Sequence, residues 1–387
     1  MDIQYRTYEP GDEAGLADAF NLPFQGLGGG FLRTPARVRW RYVSRPGADP
    51  REIQVAVDKD SGKIAGAVYS TIETYQFAGV PCRTGAINDV GTLPAYLGRG
   101  IGRKLMAQAM DFMKSARCEY SVLSADTHGF PRERLYLPAG YQDYFRESVW
   151  ISIIDPGTAS VLVPLMLPAI PALWISFATR RLRVHRIAKT LADQGIAATI
   201  PVPVHGGGLD LHVSREIWRF HEAVAPRQMD GYTRFPLDDW IYFREKPMTH
   251  DMLPVYAILR DGKKLIGYAN FIRQWIYISG TRVRFPFAFI REVLVDHSAF
   301  DDAWMLAAAY ALLAGTIWQA AAKNRCLALL CFTSPKYACL ARALKALGFF
   351  HAQDGTFMVN PLSGQGSTLP PLRRPFHVNP GENFAYP

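Results

Sequence analysis

Residues 90–102 read VGTLPAYLGRGIG: an apolar strand that stops at Pro94 and then runs into Gly98, Gly100 and Gly102, alternating with Arg99 and Ile101. Glycines carry no Cβ to keep an anion off the backbone. The next run, 103–113, has apolar residues at helical spacing, so the glycines open a helix whose first N–H groups have no intrahelical acceptor. Strand, glycine loop and helix N-terminus in that order make a phosphate cradle, and the expected ligand is a pyrophosphate. Two other nucleotide loops are excluded. No Gly-Lys-Ser/Thr ends the glycine run, and no acidic residue stands about 20 residues further on at the tip of a second strand.

Outward from the loop, 120–125 reads as the next strand, and 135–141, LYLPAGY, as a helix and turn. Pro94, Tyr96, Gly100 and Gly102, followed by that closing motif, resemble the GNAT acyl-CoA N-acyltransferases. The family pattern is Arg/Gln-x-x-Gly-x-Gly/Ala after a strand and Pro-x-Tyr, and later Leu-Tyr-x-x-x-Gly-Phe. Leu97 stands where the family has Arg or Gln, and Arg99 and Arg103 are the nearest replacement charges.

The resemblance implies acetyl-CoA, or another acyl-CoA, bound by Thr92, Leu93, Leu97, Gly98, Arg99, Gly100, Ile101, Gly102 and Arg103. It further implies that strand 89–93 splays from its parallel neighbour and offers backbone N–H groups to the thioester, with Thr92 nearest the carbonyl. Tyr136 takes the place of the family's proton donor to the coenzyme A sulfur. Asp89 is a candidate acceptor of the amine proton, or else a ligand for the substrate ammonium or a turn cap. Asp126 and His128 follow the 120–125 strand as candidates for the acceptor pocket. No cysteine has a histidine pattern that makes it a nucleophile, so transfer is expected to be direct, and no metal is expected.

The chain also repeats itself. Trp40-Arg41-Tyr42 is answered by Trp240-Ile241-Tyr242, Val55-Ala56-Val57 by Tyr256-Ala257-Ile258, Asn88-Asp89-Val90 by Arg291-Glu292-Val293, and Gly140-Tyr141 by Gly348-Phe349. The offset grows along the chain, as loop insertions produce. The expected fold is mixed α/β: two tandem GNAT-like domains, each a mostly antiparallel sheet flanked by helices and closed by its own last hairpin. The boundaries are 1–155, a linker over 156–206, 207–368, and a proline-rich tail over 369–387. The second copy has Asp296, Asp301 and Asp302 where the first has glycines, and three acids repel a pyrophosphate. Its Ala-rich helix 303–322 is apolar nearly all round, which implies burial.

Residues 159–178 carry no charge and are followed by Arg180, Arg181, Arg183, His185 and Arg186. Pro164, Pro168 and Pro171 oppose a regular helix there. Two readings stand: a buried linker at the domain interface, or a peripheral membrane contact through 159–186. The chain has 387 residues, 49% hydrophobic and 20% charged, with five cysteines and a net charge of +9. The cysteines read as reduced, mostly buried thiols of a cytoplasmic protein. The positive charge admits a polyanionic cofactor, and no nucleic-acid module is present to support that partner. The expected activity is acetyl transfer from acetyl-CoA to a primary amine, catalysed by the first copy. The alternatives are a longer acyl-CoA with a lipid-like acceptor at a membrane surface, or a coenzyme A-binding sensor without turnover.

Overall fold

In the first half, strands β1 (Ile3–Thr7), β2 (Gly29–Gly30), β3 (Ile53–Asp58), β4 (Ile64–Phe77), β5 (Val80–Thr92), β6 (Tyr120–Asp126) and β7 (Gln142–Ile153) alternate with helices α1 (Glu13–Asn21), α2 (Pro35–Val38) and α3 (Ile101–Ser115). The second half contains α4 (Ile170–Ala192), β8 (Ile196–Thr199), α5 (Leu211–Gln228), α6 (Leu237–Arg244), β9 (Pro254–Asp261), β10 (Lys264–Ile278), β11 (Arg284–Val295), α7 (Ala303–Lys323), β12 (Ala328–Thr333), α8 (Ala338–Ala346) and β13 (Phe350–Pro361). This computed structural model describes residues 2–23, 29–30, 33–155, 170–202, 209–232, 236–244, 254–278, 284–362 and 369–377. The repeat is visible in it: β3–β4–β5–α3–β6 and β9–β10–β11–α7–β12 follow the same order.

Among the described residues all the strands join one sheet, ordered β1-β3-β4-β5-β6-β13-β7-β12-β11-β10-β9-β8, with β2 paired to β10. Neighbours are antiparallel except β5/β6 and β11/β12. The halves do not close themselves with their own hairpins as the sequence leads one to expect. Instead β13, from the second half, lies between β6 and β7, and β7, from the first, lies between β13 and β12. Each half therefore lends its last strand to the other. Backbone groups left by one half are satisfied by the other, so the line drawn at residue 155 divides the sequence and not the sheet.

The β4–β5 hairpin turns at Ala78 and Gly79, both at positive φ (50° and 85°), the geometry of a two-residue turn that keeps strand twist. On one face α3 packs Leu105, Met106, Ala109 and Met113 against Ala56, Val68, Ile87 and Leu123. On the other, Leu16 and Phe20 of α1 pack with Val55, Ala67 and Tyr69. Trp40 stacks on Tyr242 across the halves at 5.7 Å, and the Tyr242 hydroxyl donates to the Trp40 carbonyl at 2.7 Å.

Helix α7 is long and apolar enough to cross a membrane, yet 67% of that stretch is buried inside the protein, as its all-round apolar pattern predicts. It crosses α4 where Gly315 faces Val184; a Cβ on that glycine would stand 2.6 Å from the valine. The run 159–178 divides. Residues 156–169 lie outside the described residues, and from Ile170 the chain is helical. Pro171 does not prevent this, because a proline in the first turn costs no hydrogen bond. The tail is also structured as far as His377. Phe376, fully buried, fills a cluster with Phe77, Tyr144, Phe145 and Phe357, and its segment pairs with Asp230.

Candidate active site

Strands β5 and β6 pair only through Thr84↔Tyr120, Gly85↔Ser121 and Ala86↔Val122. Beyond that row both continue without meeting, and a gap opens between them. Backbone groups alternate in direction along a strand. The Leu93 N–H points toward β4, donating to Ala65 O at 2.8 Å, so those of Val90 and Thr92 point the other way, into the gap. Leu93 itself is taken: its carbonyl also accepts from Tyr96 N–H at 2.9 Å. Its backbone thus ties the start of the turn to β4, while its side chain packs beside the α3 core.

The turn after β5 is pinned by Tyr96, whose buried hydroxyl donates to Asp58 at 2.8 Å. That bond, with a second from Ser61, holds the Asp58 carboxyl below its usual range. Gly98 and Gly100 follow at φ 76° and 75°. A Cβ at either would meet nothing within 4 Å, so the left-handed backbone demands glycine there and the space above it is free. The first turn of α3 closes with Lys104 N–H to Gly100 O at 3.1 Å, which leaves the amides of Ile101, Gly102 and Arg103 outside the helical ladder. Arg99, Arg103 and Lys104 are exposed around them, and Leu97 is 63% exposed. Ile101 is buried and anchors the helix start. The loop thus offers open space, unpaired donors, the positive end of a helix and three cations, a set that fits a pyrophosphate.

At the matching place in the second half the donors are already used. Asp296 accepts from the Ser298 N–H and hydroxyl at 3.1 and 2.7 Å. Asp302 caps α7 by accepting from Trp304 N–H at 2.9 Å. Carboxylates occupy the position that an anion needs.

Asp89 lies in β5 beside the gap, almost fully buried, and both of its oxygens are engaged. Arg33 donates to one at 2.5 Å, and the Tyr42 hydroxyl donates to the other. Burial, then the Asp89 charge, pushes the Tyr42 phenol well above its ordinary value, so its proton stays in place. In this arrangement Asp89 is half of a buried ion pair, and each of its oxygens already accepts one hydrogen bond. Its counterpart Glu292 is held similarly, by Tyr268 and by His221 at 3.1 Å. Tyr136 ends a turn of π-helix, Arg132–Tyr136, buried and edge-on to Tyr141 at 6.2 Å. Burial, then Asp89, raises its phenol pKa, which keeps it protonated at neutral pH.

Asp126 and His128 are exposed, and the Asp126 side chain accepts from His128 N–H at 2.9 Å. The sequence reading missed a different acid, Glu147 of β7. Ala86, Val122, Phe145 and Phe357 share one cluster, and strand alternation puts Ser124, Glu147 and Gly355 on that same face. Glu147 is 3% exposed and accepts a hydrogen bond from the Ser124 hydroxyl. Burial raises its pKa to about 7, the Ser124 bond opposing part of the rise. On β5, Asn88 donates to the Thr71 hydroxyl at 3.1 Å. No motif marks Glu147, because its surroundings come from a strand of the other half.

Residues 18–141 match the model of the Acetyltransferase (GNAT) family. No curated protein matches the sequence. Among solved structures, the chain is similar to a GCN5-related N-acetyltransferase from Anabaena variabilis, with a TM-score of 0.56 and 15% identity over 94% of this chain and 73% of that one. It is also similar to the N-myristoyltransferase of Saccharomyces cerevisiae with bound myristoyl-CoA, with a TM-score of 0.65 and 11% identity over 92% of this chain and 82% of that one. At such identities the likeness is one of fold.

Proposed function

From the match of residues 18–141 to the acetyltransferase (GNAT) family model, we propose that this chain transfers an acetyl group from acetyl-CoA to a primary amine at the β5/β6 gap of its first half. The observation that carries the reading is the gap itself, with free β5 amides along one wall and the unpaired amides of 101–103 at its mouth. When bound, acyl-CoA supplies the activated acyl group. The Gly98–Gly102 loop and Arg99 or Arg103 hold its diphosphate, and Val90 and Thr92 N–H donate toward the pantetheine and the thioester oxygen.

Glu147 is the group we assign to receive the amine proton. A carboxyl with a pKa near 7 is available as a base at neutral pH, and Asp89 is assigned to holding β5 and Tyr42 in place. The C–N bond forms as the C–S bond breaks; one proton leaves the amine for Glu147, and one passes from Tyr136 to the sulfur. Solvent restores both groups. The second half, with its donors capped, shapes the acceptor side and completes the sheet.

The test is titration of the purified chain with acetyl-CoA and longer acyl-CoAs, then an amine panel with thiol detection. Saturable binding, and thiol release that requires an amine, are expected. Gly100→Val should abolish binding. Tyr136→Phe should lower turnover by roughly 10- to 1,000-fold with affinity retained. Binding without thiol release on any amine would make the chain a coenzyme A sensor.

A further inference from the structure

Helix α4 presents two unlike faces. One is fixed to the protein: Val184 and Leu191 are buried, and Arg180 donates to Ser152 and to the Gly348 carbonyl, lying 4.9 Å over the Trp318 ring. The other is open. Trp174, Ala178, Arg181, Leu182, His185 and Lys189 are all exposed, and their spacing places them on one stripe. Ile175 and Arg186 flank it. The apolar members are well exposed, Trp174 by 50%, Ile175 by 64% and Leu182 by 59%. A solvated helix gains nothing by showing a tryptophan, an isoleucine and a leucine to water together.

Charge decides what covers this face. No acid occurs between residues 170 and 192, whereas Arg181, Arg183, Arg186 and Lys189 are exposed there. The apolar side chains gather toward the N-terminal end of the stripe and the cations toward its C-terminal end. An amphipathic helix with an apolar stripe, an indole and long cationic side chains lies in the plane of a bilayer, its apolar part among acyl chains and its cations at anionic head groups. We propose that the outward face of α4 docks this protein on an anionic lipid surface.

The test uses the full chain and flotation with phosphatidylcholine vesicles, with and without phosphatidylglycerol. Binding should be at least about tenfold tighter when phosphatidylglycerol is present, and added salt should weaken it. The combined variant Arg181→Glu, Arg186→Glu, Lys189→Glu should remove that preference. The variant Trp174→Ser, Ile175→Ser, Leu182→Ser should weaken binding by about tenfold or more. Its thermal unfolding should stay close to the parent's, because Ile175 and Leu182 are mostly exposed and Trp174 gives up only an edge contact with Phe177. Equal binding to both vesicle types, or none, would overturn the proposal. So would a dimer of the parent chain that the serine variant dissolves, since the face would then belong to a second copy. Vesicle binding is read without any acyl donor, so it stands or falls apart from the transferase reading.

Discussion

Glu147 leans over Gly355: its Oε2 lies 2.9 Å from the point where a Cβ on that glycine would stand. The two residues are opposite each other in the β13–β7 register, and the missing side chain lets the carboxylate reach Ser124. Gly355→Ala should push Glu147 away from Ser124. Turnover should fall while acyl-CoA affinity is retained, at a stability cost of about 1–3 kcal/mol. Steady-state kinetics and thermal unfolding read both effects.

The pKa of Glu147 gives a signed prediction for pH. It stands near 7 in the folded protein against an ordinary value of 4.5, so between these values the native state holds a proton that the unfolded chain has lost. Stability contributed by this group is therefore present below pH 4.5 and declines as pH rises toward 7, by about 3 kcal/mol in all. Glu147→Gln should abolish that decline, which urea unfolding at several pH values measures. Parent turnover should rise with a midpoint near pH 7, and the variant should lose this limb.

Asp89 should behave as a structural group. Replacing it by Asn leaves the buried Arg33 charge without its partner and should cost about 3–5 kcal/mol. Chemical denaturation measures the loss. A variant as stable as the parent but catalytically dead would return Asp89 to the role of base.

Phe376 ties the C-terminal segment to the aromatic cluster under β6, β13 and β7. Phe376→Ala should destabilise the whole protein by about 3–5 kcal/mol. One cooperative transition at lower temperature is expected in calorimetry, since the cluster draws on both halves.

What could be read from the chain and what could not follow the distance over which each feature is determined. The loop at Gly98 and Gly100 was legible because positive φ and an open helix start are local properties, written in adjacent residues. The local caps at the matching place in the second half were legible for the same reason, through Asp296 and Asp302. The partners of Asp89 were not legible, because Arg33 and Tyr42 lie far off in sequence. Glu147 was missed because Gly355, which makes room for it, arrives from the far end of the chain. The repeat announced one fold twice, but matching residues cannot say which half supplies which strand. Phe376 sits in a proline-rich stretch where no periodicity betrays a buried ring.

The interlocked strands bear on how the protein is born. A ribosome delivers β6 and β7 long before β13, so a nascent first half has no partner for the facing edges of these two strands. Those edges must wait, in need of protection from other chains, while some two hundred further residues are made. The carboxylate at Glu147 gains its low-dielectric setting only when Gly355 slides in beneath it. The half with the open glycine loop is encoded first and completed last, and a truncation that spares every residue of its own sequence should still leave Glu147 without the strand that buries it.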